Sequence, residues 1–405
     1  MRTLNSYVEN ILINKQEKTL LGIGPMSKSV IEASLELAKQ YNFPIMFIAS
    51  RNQVDSDDFG SGYVNNWNAQ RFVSDIKNIA ERISFSGDYY VCRDHGGPWQ
   101  RDEERRMELP QRVAMEIAKK SYAEDIQAGF DLLHIDPTKI PNCNGMAPMD
   151  DVIEMTIELI EFCENERKRF NKSNEFSYEI GTEETNGGLT GNREFEYFIN
   201  TLFEKLNARS LPRPLFIVGQ TGTLVKMTEN VGQFNIKKAK ELSDIARKYN
   251  IGLKEHNCDY IAGSSLCAHP VVGVTASNVA PEFGFAETCA LIELCDLEDK
   301  LYDSKFIEEK SEFYKCILKK SVECKRWKKW ILEDLTIKQI FNDQERARKI
   351  VHLAGHYTYN DQQIVKKRAL LYSNLEKLGI HPHRIVLEKI KDKIKKYAVA
   401  FNLVN

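Results

Sequence analysis

The sequence has no apolar run approaching the roughly 18 residues needed to span a bilayer. Its 9 cysteines include no CxxC pair and follow no regular spacing, which favours reduced thiols over a disulfide framework. The formal net charge is only -2, so no broad attraction to nucleic acid or anionic membrane is expected. Residues 1–18 are interrupted by polar residues and lack the apolar core of a signal peptide. We therefore expect a cytoplasmic protein that binds neither nucleic acid nor membrane.

Several catalytic motifs are also missing. No GxGxxG follows the first predicted strand, and there is no Walker loop, GxSxG elbow or set of kinase signatures. These absences argue against a dinucleotide-dependent oxidoreductase, a P-loop NTPase or kinase, and an α/β-hydrolase.

The sequence does contain a repeated unit, in which a short apolar run ends in polar residues and is followed by helix-like sequence. The runs are LLGIGP (20–25), PIMFIASRNQ (44–53), YYVCRDHGGP (89–98), LLHIDPT (132–138), SYEIGTEE (177–184), LFIVGQTG (215–222), IGLKEHNCD (251–259) and VVGVTASN (271–278). Eight such units predict an α/β protein with a (β/α)8 TIM barrel, whose chemistry lies at the C-terminal ends of the strands.

The predicted barrel is flanked by helical sequence at both ends. Residues 1–19 have the pattern of a short amphipathic helix, which we expect to close the bottom of the barrel. We assign residues 1–290 to the barrel with this helix, and residues 291–405 to a helical extension. The extension is rich in charged residues with interleaved aromatics, so it is expected to pack on the barrel, cover the pocket or form a homo-oligomer interface.

Polar and ionisable residues are concentrated at the predicted C-terminal ends of the strands. They are Asn52, Gln53, Asp94, His95, His134, Asp136, Glu183, Gln220, Glu255, His256 and Asp259. The strand interiors before them are largely apolar, and this asymmetry predicts an enzyme-like pocket.

Two histidines at these strand ends are the best candidate metal ligands. Asp94 and His95 end the third strand, where one side chain can bind a metal while the other moves a proton. His256 ends the seventh strand and offers a neutral imidazole, the commonest protein ligand for borderline divalent metals. Glu255 points to the opposite side of a regular strand and is less suited to share that metal.

Carboxylates could complete the site. Asp136 and Glu183 end the fourth and fifth strands, and with the two histidines they would form a mixed site suited to Zn, Mn, Ni or Co. A salt bridge or a helix cap is the alternative role for each carboxylate. His134 faces the barrel interior together with Asp136 and is interpreted as a satisfied core histidine.

Three further histidines rank lower. His269 precedes Pro270 at the predicted start of the eighth strand, the wrong end of the barrel for chemistry, and is interpreted as structural. His352 and His356 are spaced i, i+4 on a predicted helix, but no third ligand lies nearby in the sequence.

Five segments occur in order and together resemble one family. They are SRNQVDSDDFGSGY (50–63), CRDHGGPW (92–99), LLHIDPT (132–138), YEIGTEE (178–184) and KEHNCDY (254–260). The chain resembles the class II D-tagatose-bisphosphate aldolase non-catalytic subunit family, which also contains ketose-phosphate and tagaturonate epimerases. The resemblance covers about residues 20–290 well and the tail less well. It implies a TIM barrel related to zinc-dependent class II aldolases.

By this resemblance Asp94 takes an acid/base role, and His95 and His256 bind a metal. The sequence departs from the aldolases at the end of the sixth strand, where Gln220 stands in place of a further metal-binding histidine. The last strand, VTASNVAP, also lacks the aldolase phosphate-binding pattern. Both departures argue against ordinary zinc-dependent bisphosphate aldolase activity.

The sequence therefore predicts a metal-dependent enzyme that epimerises a ketose phosphate at C4, for example fructose 6-phosphate and tagatose 6-phosphate, or a related uronate. Asp94 and Glu183 are expected to move protons. The expected metal ligands are His95, His256, Glu183 and Asp136, and zinc ranks first among the metals. The expected substrate contacts are Asn52, Gln53, Asp136, Gln220, Asp259 and Asn278. The alternatives are a class II-type sugar-phosphate aldolase and a non-catalytic subunit that stabilises a partner aldolase.

Overall fold

The computed structural model describes residues 2–141, 147–170, 176–181, 188–329, 331, 333 and 335–404. Its strands are β1 Leu20–Ile23, β2 Ile45–Ser50, β3 Tyr89–Gly96, β4 Leu132–Ile135, β5 Ser177–Gly181, β6 Phe216–Val218, β7 Val225–Lys226, β8 Glu229–Asn230, β9 Gly252–Glu255 and β10 Val274–Val279. All except β7 and β8, which pair as a short hairpin, form a closed parallel barrel in the order β1-β2-β3-β4-β5-β6-β9-β10. The predicted TIM barrel is confirmed.

Helices alternate with the barrel strands and then form the C-terminal part of the chain. They are α1 Leu4–Ile13, α2 Lys28–Tyr41, α3 Ala69–Arg82, α4 Asp102–Arg106, α5 Gln111–Ala128, α6 Met149–Arg169, α7 Asn192–Ala208, α8 Ile236–Lys248, α9 Gly263–Leu266, α10 Ala268–Val272, α11 Pro281–Asp303, α12 Phe313–Glu323, α13 Ile337–Asn342, α14 Gln344–Ala354, α15 Gln362–Glu376 and α16 Pro382–Ala400. Short 3-10 helices occupy Asp57–Phe59, Arg326–Lys329 and Gly355–Thr358. No helix within the described residues is both long and apolar enough to cross a membrane.

The last barrel strand begins later than the sequence predicts. Residues 271–272 belong to α10, and Gly273, with φ +85°, ends that helix before β10 starts at Val274. The run VVGV is apolar throughout, so its hydrophobicity cannot distinguish a buried helix end from a buried strand. His269 therefore lies on a helix that precedes the strand.

The lower half of the barrel is filled by apolar side chains. Inward-facing strand residues form one hydrophobic cluster with Leu4, Val8 and Ile11 of α1. The strand members of this cluster are Leu20, Met46, Ile48, Tyr90, Cys92, Leu132, Phe216 and Ala276. The N-terminal helix thus closes the bottom of the barrel, as its amphipathic pattern predicts.

The C-terminal helices pack against the barrel, and α16 lies against both α2 and α11. Near the bottom of the barrel, the backbone N–H of Thr19 donates to the carbonyl of Phe401 at 3.2 Å. Toward the C-terminal ends of the strands, the hydroxyl of Tyr397 on α16 donates to the carboxylate of Glu282 and accepts the backbone N–H of Tyr260 at 3.1 Å, in the loop after β9. The predicted division at residue 290 falls inside α11, and the two-part organisation remains a proposal.

Replacing Val8 with Ala tests the role of α1. Val8 is fully buried in the barrel cluster, so the lost contacts and the cavity left behind should lower the free energy of unfolding by about 2 kcal/mol. Ile13→Ala is the matched control because Ile13 is 76% exposed, and its effect should be close to zero. Urea unfolding followed by circular dichroism measures both. Equal free energies of unfolding for the two variants would contradict the role of α1 in closing the barrel.

Candidate active site

A cavity of about 620 Å³ opens at the C-terminal ends of the barrel strands. The residues predicted at the site that line this cavity are Asn52, Gln53, Asp94, His95, His256, Asp259 and Asn278. Two others, Asp136 and Gln220, are buried but do not line it. Glu183, predicted as a proton carrier and metal ligand, lies outside the described residues. The strand-end residues are thus largely gathered around one cavity.

His95 and His256 face each other at the centre of the site. Nε2 of His95 lies 3.1 Å from Nδ1 of His256. The outer nitrogen of each ring contacts a carboxylate, with Asp136 at 2.7 Å from His95 Nδ1 and Glu179 at 2.8 Å from His256 Nε2. A carboxylate on the outer nitrogen fixes the ring and its tautomer, and this arrangement is common for histidines that bind metals.

This geometry places two lone pairs against each other unless a cation lies between them. A neutral imidazole that donates its outer N–H to a carboxylate keeps a lone pair on the inner nitrogen. Two such rings attract only through a shared proton or a metal ion. Burial lowers the pKa of His95, but the charge of Asp94 and the hydrogen bond to Asp136 outweigh it, and the pKa lies above its ordinary value. In the metal-free protein, a proton shared by the two rings would remove this repulsion, and the raised pKa of His95 favours it.

The donor set fits a divalent metal. His95, His134 and His256 form one group, in which one ligand nitrogen from each ring lies within 4.8 Å of the others, and this group could hold a metal ion. Two nitrogens on one tetrahedral zinc, each at about 2.0–2.1 Å, are roughly 3.3 Å apart. The His95–His256 nitrogen separation of 3.1 Å is close to this value. A soft cysteine site is not formed here, and imidazole with carboxylate suits Zn, Mn, Ni or Co.

A buried ion pair lies beneath the histidines. Nζ of Lys254 is 2.5 Å from Oε2 of Glu179, and both side chains are completely buried. Burial alone would raise the pKa of Glu179, but the charge of Lys254 and the neighbouring histidines hold that pKa well below its usual range. Glu179 is therefore an anion that accepts a hydrogen bond from His256. Neither member of the pair was predicted from the sequence as a site residue.

His134 is more closely involved than a core histidine would be. Its Nδ1 accepts the backbone N–H of His95 at 3.1 Å, and its Nε2 has no hydrogen-bond partner among the described residues. Burial lowers the pKa of His134 to about 4, so the ring is neutral at physiological pH. The bond to His134 holds the backbone of His95 at φ +43°, a strained conformation for a residue other than glycine.

Asp94 lies beside the histidine pair, within the cavity. Its Oδ1 accepts a hydrogen bond from Asn278 Nδ2 at 3.0 Å and lies 3.7 Å from His256 Nε2. Burial opposes ionisation, yet the charges of His95, His256 and Lys254 keep the pKa of Asp94 below its ordinary value. Gly22 leaves space for this contact, because a Cβ there would lie 2.3 Å from the amide oxygen of Asn278.

Two predicted carboxylates have other partners in the structure. Asp136 contacts the outer nitrogen of His95 and accepts from Thr138, a position that suits orienting a ligand more than binding the metal directly. Asp259 accepts the backbone N–H groups of Ala280 and Glu282 at 2.8–3.2 Å and so caps the start of α11. Burial raises the pKa of Asp259 to about 7, despite these bonds.

The opposite face of β9 is occupied as the alternation of the strand predicts. Glu255 points away from the cavity, where its carboxylate contacts His269 of α10 and Thr221 after β6. Cys258 lies 3.6 Å from His269 Nε2, so this buried cluster holds the loop that follows His256. Glu255, Cys258 and His269 also lie close enough together that they could hold a metal ion, so the structural role of His269 stays a prediction.

The fold and the site define a TIM-barrel protein with a buried histidine–carboxylate cluster at the C-terminal ends of its strands. The family described as D-tagatose-1,6-bisphosphate aldolase subunit GatZ/KbaZ-like matches residues 10–399, and the chain belongs to this family. The family resemblance drawn from five sequence segments is therefore confirmed, and it places the chain among aldolase-related proteins of carbohydrate metabolism. No curated protein matches the sequence significantly.

Three solved structures with a similar fold are described as enzymes that act on sugars or sugar phosphates. A probable tagatose 6 phosphate kinase from Sinorhizobium meliloti is 20% identical, with TM-score 0.78 over 95% of this chain and 100% of that one. The fructose-bisphosphate aldolase of Campylobacter jejuni is 10% identical, with TM-score 0.57 over 99% and 94%. The fructuronate-tagaturonate epimerase UxaE of Cohnella laeviribosi, complexed with glycerol, is 11% identical, with TM-score 0.56 over 96% and 82%. At these identities the similarity shows the fold alone.

Replacing His256 with Ala should weaken zinc binding by more than about ten-fold, because one of the two facing imidazoles is lost. Metal content after dialysis, measured by inductively coupled plasma mass spectrometry, and a zinc titration check this. His383→Ala is the control, since that side chain is 44% exposed and lies elsewhere on the surface. Full metal retention in His256→Ala would refute the ligand assignment.

Zinc affinity should fall as the pH is lowered through the raised pKa of His95, because a proton and the metal compete for its inner nitrogen. Asp136→Asn removes a group that raises this pKa, so the fall should begin at a lower pH. The variant should also bind zinc about 10- to 100-fold more weakly at high pH. Zinc titrations measure the affinities. Histidine NMR of the protein after a chelator has removed the metal measures the pKa of His95. An identical pH dependence of zinc affinity in the native protein and in Asp136→Asn would show that Asp136 does not raise the pKa of His95.

Proposed function

We propose that this protein is a metal-dependent ketose-phosphate epimerase that interconverts fructose 6-phosphate and tagatose 6-phosphate, or a closely related ketose or uronate, at C4. The observation that carries the proposal is the pair of facing imidazoles, each supported by a carboxylate, with the ionised Asp94 beside it in one cavity. The cavity volume of about 620 Å³ lies in the range of small-molecule sites. Membership of an aldolase-related family is consistent with carbon–carbon bond chemistry.

His95 and His256 would hold the metal. When bound, a divalent ion, with zinc first and Mn, Ni or Co as alternatives, supplies Lewis-acid stabilisation of negative charge developing on the sugar oxygens. Asp136 and Glu179 fix the two rings, so the inner nitrogens stay aimed at one point.

Asp94 acts as the base. It is ionised and lies in the cavity, and it takes the proton of the C4 hydroxyl. The C3–C4 bond then breaks, its electron pair passing to C3 and toward the C2 carbonyl, and C4 becomes an aldehyde. Rotation of the aldehyde presents its other face, the bond re-forms, and Asp94 returns the proton to the C4 oxygen. Glu183 is the second proposed proton carrier, and Asn52, Gln53 and Asn278, which line the cavity, are proposed to hold substrate groups.

The family description, an aldolase subunit, favours a second candidate function. Under it the protein is a non-catalytic partner that stabilises a separate class II aldolase. A class II-type aldolase activity of this chain itself is a third outcome, because aldol cleavage with product release is the same chemistry stopped halfway.

Purified protein incubated with fructose 6-phosphate and each candidate metal, with products read by carbon NMR, separates these functions. Tagatose 6-phosphate supports the epimerase, and triose products support an aldolase. No reaction with metal bound indicates another ketose or a uronate. No reaction and no bound metal favours the partner role, which predicts higher stability or activity of a co-expressed aldolase.

Asp94→Asn should lower epimerisation by about 100-fold or more, because the general base is lost while the metal ligands remain. The metal content of the variant should match that of the native protein. Asp244→Asn, at a side chain that is 49% exposed on α8, is the control and should retain activity. Undiminished turnover by Asp94→Asn would remove Asp94 from the mechanism.

A further inference from the structure

The C-terminal extension contributes part of the cavity wall. Lys325, which follows α12, and Arg326, which begins the next 3-10 helix, line the cavity together with His356 and Tyr357. Tyr63, from the loop after β2, faces Tyr357 with ring centroids 4.6 Å apart. These five residues are called the extension subsite below. Nothing in the chemistry at C4 requires them.

The guanidinium of Arg326 lies against two neighbouring aromatic rings. Its central carbon is 5.1 Å from the Tyr63 ring centroid and 4.8 Å from that of Tyr357. Its contact with Asp102 is 3.4 Å, which is long for a charge-assisted hydrogen bond. The rings therefore support the guanidinium, and Asp102 is its only hydrogen-bond partner among the described residues, which leaves N–H groups for an anion.

The cavity is lined by three cations and by four carboxylates, those of Asp94, Asp102, Glu103 and Asp259. Lys325 is exposed and has no ion-pair partner among the described residues, although it lines the cavity. Arg106 on α4 also lines it and lies 3.5 Å from Glu103. Asp102 and Glu103, on the same short helix, contact Arg326 and Arg106, respectively. The uncompensated positive charge is that of Lys325.

His356 is an unsatisfied polar group in the same wall. The side chain is 6% exposed, and neither ring nitrogen has a hydrogen-bond partner among the described residues. Its ring lies 4.0 Å from that of Tyr357. The sequence suggested a possible metal pair with His352, but His352 lies on α14 beside Cys289, and His356 lies on the next 3-10 helix. Buried polar groups without partners are rare and indicate a place where a ligand or water completes the bonding.

We propose that the extension subsite binds the phosphate group of the sugar, with Arg326, Lys325 and a ring N–H of His356 donating to its oxygens. The inference rests on the proposed function for the identity of the sugar. Two cationic donors and a neutral one suit a phosphate dianion, and the last barrel strand lacks a phosphate-binding pattern of its own. The phosphate at the extension would orient the sugar with its carbonyl toward the histidines.

Binding of fructose 6-phosphate and of fructose, measured by calorimetry, tests this proposal independently of turnover. The native protein should bind the phosphorylated sugar at least about ten-fold more tightly. Lys325→Ala and Arg326→Gln should each weaken fructose 6-phosphate binding roughly ten-fold and leave fructose binding unchanged. Lys366→Ala is the control, because Lys366 is an exposed cation of α15 that does not line the cavity. Circular dichroism verifies that each variant is folded.

Equal binding of the two sugars by the native protein, or unchanged fructose 6-phosphate binding in both variants, overturns the subsite. Tighter binding of a hexuronate, lost in Lys325→Ala, overturns the choice of phosphate over carboxylate. Lysine-dependent binding of fructose 6-phosphate without any reaction refutes the proposed function and leaves the subsite standing. Epimerisation with an unchanged KM in both variants overturns the subsite and leaves the proposed function standing.

Discussion

The buried ion pair between Lys254 and Glu179 is the interaction on which the site depends. Two charges removed from water are costly, and either one left alone in the barrel would be strongly destabilising, so each requires the other. Glu179 uses its second oxygen to hold Nε2 of His256 at 2.8 Å. That bond decides which nitrogen of His256 faces His95. A pair that is completely buried beneath the cavity thus determines where a metal can bind.

The same strands serve two different purposes along their length. Their lower inward positions carry apolar side chains that pack on α1, while their upper inward positions carry charged and imidazole groups. The dry lower layer keeps water from the ion pair above it, which strengthens electrostatic contacts there. The strained backbone of His95 is held from the neighbouring strand by His134, so the precision of the site comes from the barrel itself.

The strand-helix alternation predicted the barrel because apolar runs bounded by polar residues are directly visible in a sequence. It also located Asp94, His95 and His256, since strand ends are where parallel-barrel chemistry lies. Glu179 and Lys254 were not predicted, because both lie inside their strands, and the rule that chemistry lies at strand ends does not select them. Both sit an even number of residues before a predicted site residue, so strand periodicity gives them the same inward direction. A single charged residue at an inward-facing position inside a strand is the sequence signal that could have identified them. Contacts between the barrel and the extension join residues far apart in the chain, so no local sequence pattern predicts them.

The hydroxyl of Tyr397 on α16 accepts the backbone N–H of Tyr260, four residues beyond His256. During synthesis, a chain emerging N-terminus first has produced every barrel strand well before Tyr397 exists. The loop after β9 therefore gains this support only after every barrel strand has been synthesised. Until then the nascent chain has the histidines and carboxylates of the cluster without this contact, so the rim of the cavity is completed after the barrel.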